Sequence, residues 1–386
     1  MSTNDPADRP FEGTDDADEA PLATSAFPWL LLQKVAIPDP VPGYVDRPEL
    51  VARASPIQRR LTILDATGGF GKTTLMAECC RRLRQEGVPT AWVSLDERDE
   101  PAVLDAYIAL ACVGAGLNLV DVPDPRQAPA GPESRIGLVV REIQSRGRPF
   151  VIAFDELERL RHPGSVALLA YLLQRGPPNL HLVFAGREIP DGLNVAGAVL
   201  DGVAETVETE DLRFSTADVA RFFDLRLSRD ALVEEMDRSA GWPLALRLSS
   251  DGRRRAKVLA GNWLESRLLA DLRRNDRDFV LDLGLFGWAD AGLLDEVLQR
   301  ADAMRRMESI AALDGLVERV AGGTSWRLHP LVREHCARQR FREDPERFNA
   351  VHRRIAAALA RRGETVLAMR HAAEGGAPFL AGEILE

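Results

Sequence analysis

One segment constrains this chain more than any other. Ala66-Thr-Gly-Gly-Phe-Gly-Lys-Thr73 follows an apolar run, Leu61–Ala66, and opens the helical spacing of Thr73–Gln85. A buried strand, a glycine turn and a helix in that order make a phosphate-binding loop. The small residues Gly68, Gly69 and Gly71, with Phe70 between them, let the backbone wrap an anion. Successive N–H groups and the helix N-terminus then point at it. Lys72 supplies a mobile point charge for β- and γ-phosphates, and Thr73, followed by Thr74, offers a hydroxyl to Mg2+. Ala66 stands where such loops usually start with glycine. The competing account is a chance glycine-rich turn. Only Lys34, Lys72 and Lys257 are lysines, which makes a chance match rare.

A second segment answers the first. Phe150-Val-Ile-Ala-Phe-Asp155-Glu156 is an apolar strand that delivers carboxylates to the same sheet edge. Asp155 is the candidate magnesium ligand, and Glu156 is placed to polarise a water for in-line attack. A strand and two helices separate the two motifs, the spacing of the ATPase branch with an inserted strand. No Asn-Lys-x-Asp guanine-reading motif exists, so adenine is the expected base. Arg187 ends the following strand and is read as a γ-phosphate sensor, with an ordinary surface arginine as the alternative.

The chain's 386 residues suggest two or three domains of about 150 each. Residues 1–26 are acidic and aperiodic, the composition of a disordered tail. Strands alternate with helices over 27–210, which implies a parallel sheet covered on both faces. One of these helices, Pro101–Ala115, is expected to be capped by Asp99, and residues 121–132 read as a Pro-rich loop. Helix follows helix over 211–265, an all-α lid. In 266–343 a helix is expected over Met304–Leu313. A hairpin, Leu316–Val320 and Ser325–Leu328 around Ala321-Gly-Gly-Thr324, suggests a winged helix. Residues 344–386 read as the start of a helical-repeat array, with a third helix from Pro378.

Formal charge is −10, of which the first twenty residues carry −6. The body is therefore near neutral, which argues against one dominant nucleic-acid surface. Arg319–Arg370 nevertheless holds twelve arginines against five acids, and salt-bridged, solvated arginine is the commoner outcome. The longest uncharged apolar stretch, Ala106–Val120, is too short to span a bilayer. No secretory signal opens the chain, so a cytoplasmic location is expected. Cys79, Cys80, Cys112 and Cys336 lack zinc-finger or redox spacing and read as buried thiols.

These segments resemble the STAND-type signalling NTPases, and within them the MalT-like, ATP-dependent regulators of the LuxR family. The likeness rests on the phosphate loop and six further patterns in order, beginning with Ala91-Trp-Val-Ser-Leu-Asp96, the strand ending at Asp155, and Pro178 to Arg187. Asp211-Leu-Arg-Phe-Ser215, Gly241-Trp-Pro-Leu-Ala-Leu246 and Leu328-His-Pro-Leu331 follow. The resemblance implies an α/β P-loop NTPase with a RecA-like parallel sheet, then lid, winged helix and the start of a repeat array. Val45 and Arg47 would lie along adenine, although Asp46 stands where the family often has glycine. Pro243 would pack on the base, with Trp242 nearby. His329 would reach the β-phosphate of ADP. Gly-Trp-Pro is also readable as a helix start with a core tryptophan, and His329 as a helix cap.

The implied function is a switch. ADP holds the module closed, while ATP and a small-molecule or protein inducer open it and permit self-association, with slow hydrolysis as a timer. The inducer would act through a repeat region lying mostly outside this sequence. Direct DNA binding is not expected of this chain, because a separate helix-turn-helix does that work in the family. The alternative is a DNA- or protein-remodelling ATPase of the origin-recognition or transposition-helper kind.

Overall fold

The computed structural model describes residues 30–41, 43–119, 132–250, 261–270, 272–319, 325–377 and 382. The acidic tail, the turn 321–324 and the helix expected from Pro378 lie outside the described residues, apart from residue 382.

Five strands form one parallel sheet: β1 (Leu61–Asp65), β2 (Thr90–Ser94), β3 (Phe150–Asp155), β4 (Leu180–Gly186) and β5 (Ala204–Glu208). Their order is β2-β3-β4-β1-β5, so β4 is inserted between the loop strand β1 and the carboxylate strand β3. Every residue of β3 is buried, as its uninterrupted apolar run requires for a strand covered on both faces. On one face lie α1 (Pro48–Arg53) and α2 (Lys72–Gln85), which buries Leu75, Met76, Cys79, Cys80 and Leu83. On the other lie α3 (Pro101–Gly114), α4 (Pro132–Arg146) and α5 (Pro163–Arg175). The four cysteines are buried and unpaired, as expected.

Asp99 does not cap α3. The N-cap is Glu100, which makes no capping bond through its side chain, and Pro101 at the first turn needs no N–H partner. The Asp99 carboxylate instead receives Lys34 Nζ at 2.5 Å and the Asp96 N–H at 2.8 Å. Pro132, assigned to a loop by composition, is the first residue of α4.

Beyond β5 the chain is helical. Short α6 (Val195–Leu200) precedes β5, and α7 (Thr209–Leu212) follows it. Helices α8 (Thr216–Phe222), α9 (Arg229–Ser239) and α10 (Pro243–Ser250) occupy the segment expected to be an all-α lid. Ser215 caps α8 in a reciprocal box with Asp218, an arrangement worth about 1 kcal/mol. A π-helical turn, Glu265–Leu269, leads to α11 (Arg274–Leu283).

The winged helix contains one strand more than the sequence suggests. β6 (Ala289–Asp290) pairs antiparallel with β8 (Ser325–Leu328), which also pairs with β7 (Val317–Arg319). Helices α12 (Ala291–Leu298) and α13 (Ala303–Ser309) come between them. The helix expected over Met304–Leu313 stops at Ser309. Ile310 is extended, and a 3-10 turn, Ala311–Leu313, follows. Then α14 (Pro330–Glu343) packs on α11, and α15 (Pro345–Arg361) pairs with α16 (Thr365–Glu374). Several arginines of the basic stretch are paired with acids: Arg340 and Arg347 meet Asp282, Arg361 meets Glu296, Arg362 meets Asp290 and Arg370 meets Glu374. Among the described residues no helix is long and apolar enough to cross a membrane.

Candidate nucleotide-binding site

The carboxyl edge of the sheet opens into a cavity of about 370 Å³. Gly68, Gly69, Phe70, Gly71, Lys72, Thr73 and Thr74 line it, as do Asp155, Glu156 and Arg187. Val45, Arg47 and Pro243 line it too, so every site residue read from the sequence converges there except His329.

The loop is bent for close approach to a ligand. Gly71 precedes α2 in the left-handed region, at φ 95°, and a Cβ there would meet nothing. Gly69 is left-handed as well, at φ 82°, and a Cβ on it would overlap Leu244 and the Trp242 indole. Lys72 is buried, and its ammonium donates to the carbonyls of Ala66 and Thr67. Burial pushes its pKa down to about 8, against the pull of Glu158 and Asp155. Those two carbonyls are weak partners for a buried ammonium, and an anion in the cavity would be a better one.

Asp155 is also buried, and burial pushes its carboxyl up to about 6. Its carboxylate takes a bond from the Thr73 hydroxyl and, at 2.9 Å, from the Glu156 N–H. A hydroxyl and a carboxylate in contact are a hard-oxygen donor set that fits Mg2+ with waters completing the shell. Glu156 sits in the left-handed region at φ 62°, a strained position for a non-glycine residue, and its side chain meets Arg159 at 3.3 Å. Arg187 Nε donates to Glu158 at 2.8 Å. Glu158 was not singled out from the sequence. It is the third residue of a plain Glu-Leu-Glu run and acquires its place only because β4 ends beside β3.

Val45 is buried, and Arg47 ties the leading segment to the helix after β5 by donating to the Leu212 carbonyl at 3.0 Å and the Asp211 carbonyl at 2.7 Å. Pro243 opens α10 and faces the cavity with Leu244 and Trp263. Trp242 does not. It is buried behind the loop, where its Nε1–H donates to the Gly68 carbonyl at 3.3 Å and its ring stacks on Phe70 at 6.1 Å.

His329 stands one layer further back. It is fully buried, 5.0 Å from the Trp242 ring, with Nε2 at 2.8 Å from the Ser239 carbonyl. Its Nδ1 accepts the Leu331 N–H at 3.3 Å, which makes it the N-cap of α14. The winged helix reaches the loop by another route. Asp314 Oδ2 accepts the Thr209 hydroxyl at 2.7 Å, and Thr209 Oγ1 accepts the Thr67 N–H at 3.2 Å. The Thr67 hydroxyl donates to the Asp314 carbonyl. Arg213 donates to the carbonyls of Ala240 and Gly315 and lies over the Phe70 ring. Loop, lid and winged helix are therefore hydrogen-bonded into one assembly.

Residues 265–348 match the MalT winged helix domain family. Over 385 residues the chain is 24% identical to the HTH-type transcriptional regulator MalT of Cronobacter sakazakii strain ATCC BAA-894, covering 92% of this chain and 42% of that protein. The MalT of Klebsiella pneumoniae strain 342 aligns with the same identity and coverage. The chain thus spans 42% of the length of the curated relatives it matches. Among solved structures, the Walker-type ATPase of Pyrococcus abyssi superposes with a TM-score of 0.53 at 17% identity, covering 76% of this chain and 96% of that one. That likeness is one of fold. Residues 265–348 are thus similar to the MalT winged helix, and the aligned chain is similar in sequence to the MalT regulators.

Proposed function

We propose that this chain is the nucleotide-controlled switch module of a transcriptional regulator. It binds ATP and ADP with Mg2+, hydrolyses ATP slowly, and self-associates in the ATP state. The observation that carries the reading is the composition of the cavity wall. The charged and hydroxyl side chains Lys72, Thr73, Asp155, Glu156 and Arg187 share the cavity wall with Val45, Arg47 and Pro243. The first group suits a triphosphate and its metal; the second, with Tyr44 and Phe214, suits a flat base.

Each residue then has a task. The loop N–H groups and Lys72 hold the β- and γ-phosphates. Thr73 and Asp155 hold Mg2+, which supplies charge neutralisation at the transferred phosphoryl group. Glu156 orients the attacking water, and Arg187 senses the γ-phosphate. Because Trp242, Asp314 and Gly315 bond to the loop or its flank, a change of loop geometry on nucleotide exchange reaches lid and winged helix directly. The inducer is proposed to act through a repeat region continuing from α15 and α16.

Calorimetry with ATP, ADP and GTP, each with Mg2+, tests the site, and light scattering in ADP against ATP tests the switch. Tighter binding of GTP than of ATP, or no nucleotide binding at all, overturns the reading.

A further inference from the structure

Helices α15 and α16 bring three ligand-bearing side chains to one point. His352 and His371 are both buried, and their Nδ1 atoms lie 2.9 Å apart. Glu374 Oε2 lies 3.4 Å from His352 Nδ1. The three ligand atoms fall within 4.8 Å of one another. His371 and Glu374 are one turn apart on α16, so helix geometry places them on the same face. The end of that helix is pinned to α15, because Arg353 Nε donates to the Gly375 carbonyl at 2.9 Å.

We infer that His352, His371 and Glu374 form a divalent-cation site, best matched to Zn2+, that staples the last helix pair. Two imidazoles and one carboxylate make a typical three-residue zinc set with a fourth position left for water. Bonds of ~2.0–2.1 Å at tetrahedral angles put ligand atoms about 3.3 Å apart. The observed separations of 2.9 and 3.4 Å bracket that value. Burial favours the neutral form of both rings, the form that has a lone pair to give.

The fourth position has a route in. The three residues border a cavity of about 300 Å³ between the winged helix and the helix pair, with Trp288 and Phe348 on its wall. The carboxylate is oriented from behind: Arg370 Nε donates to Glu374 Oε1 at 3.2 Å and leaves Oε2 for the ion. Arg333 and Arg338 also face the cavity, and Arg338 is paired with Glu334 at 3.2 Å. These cations oppose a bound metal, which makes the Glu374 charge essential to the site. The His352 ring also touches the Phe348 ring at 4.4 Å, so an ion here would stiffen α15 at its junction with α14.

The test uses the whole chain, stripped with a chelator and kept free of nucleotide, titrated with Zn2+ and with Co2+ as a visible probe. Saturable binding of one ion per chain, a tetrahedral Co2+ spectrum and a Zn2+-dependent rise in melting temperature are expected. The pair of substitutions His352→Ala and His371→Ala is expected to abolish all three. Wild-type protein with no saturable binding, or a double variant that binds equally well, overturns the inference and leaves a His–His hydrogen bond. If the double variant does not fold, Glu374→Gln at a partly exposed position decides: unchanged Zn2+ affinity overturns it.

Discussion

Arg187 and Glu158 are joined twice on the wall of the cavity. Arg187 Nε donates to Oε1 at 2.8 Å, and the Arg187 backbone N–H donates to Oε2 at 3.1 Å. Burial raises the Glu158 pKa, but the guanidinium and the backbone donors outweigh it, so the carboxyl sits below its usual range. The proposed γ-phosphate sensor therefore has a carboxylate partner already in place. A γ-phosphate must compete with Glu158 for Arg187, and Glu158 also bears on Lys72.

Glu158→Gln should loosen that competition. Loss of one charge-assisted bond on this scale favours ATP over ADP by about tenfold or more. Arg187→Ala should erase the preference while retaining ADP. Competition calorimetry reads both. An unchanged ATP-to-ADP ratio in Glu158→Gln would leave the pair as a structural salt bridge.

Lys72→Ala removes the only lysine at the loop and Thr73→Ala removes a metal-directed hydroxyl. Both are expected to weaken ATP, and Thr73→Ala should also flatten the Mg2+ dependence. Glu156→Gln should keep binding and accumulate bound ATP, because the amide cannot accept a proton from water. Single-turnover hydrolysis at the wild-type rate in Glu156→Gln assigns water activation to another group.

The sheet, and the loop and carboxylate that line the cavity, were legible because their signals are local. A buried parallel strand is an unbroken apolar run, and the loop and its carboxylate sit at strand ends. What escaped is long-range or too short for a pattern. β6 has two residues and no periodicity to read. The Thr209–Asp314 bond joins residues 105 apart, and nothing beside either residue announces it. The hybrid case is Gly241-Trp-Pro. Its helix start was readable, and Pro243 does face the cavity, but Trp242 points the other way. At the start of a helix, adjacent side chains diverge, so one supports the loop while the other faces the cavity.

Gly315 is where the winged helix meets Thr209. It is left-handed at φ 65°, and a Cβ would overlap the Thr209 methyl and crowd Phe70. Gly315→Ala should displace Asp314 from the loop and lower stability by about 1–3 kcal/mol, through backbone strain and overpacking. Thr209→Ser removes the offending methyl and keeps the hydroxyl. It should restore part of the loss, which thermal melting of the single and double variants can measure. Purely additive losses would place the strain elsewhere.

Arg277 grips Glu343 at 2.6 Å and holds its carboxyl down at about 2. A depressed acid contributes stability above its unfolded pKa of roughly 4.3 and loses it as pH falls through the folded value. Solvent screening at this half-exposed pair limits the contribution to about 1 kcal/mol. Glu343→Gln should therefore lower stability at pH 7 by that order and flatten the acid dependence between about pH 4.5 and 2. Denaturant midpoints across that window check the sign. Parallel curves for variant and wild type would remove this pair from the linkage.

His329 offers the sharpest test of whether the winged helix governs nucleotide release. It caps α14, holds the Ser239 carbonyl and buttresses Trp242, whose indole bonds the loop at Gly68. Loss of the imidazole removes a cap worth about 0.5–2 kcal/mol and the support behind Trp242. Expressed in the closed state alone, that range speeds ADP release by up to about thirtyfold, and a contact kept in both states would move nothing. Two routes are separable. If His329 acts through Trp242, then Trp242→Phe, which keeps an aromatic ring but not the Gly68 bond, should reproduce part of the acceleration. If it meets the phosphate directly, Trp242→Phe leaves ADP release unchanged. Stopped-flow release of a fluorescent ADP measures all three proteins, and equal rates for wild type and His329→Ala would reduce His329 to a helix cap.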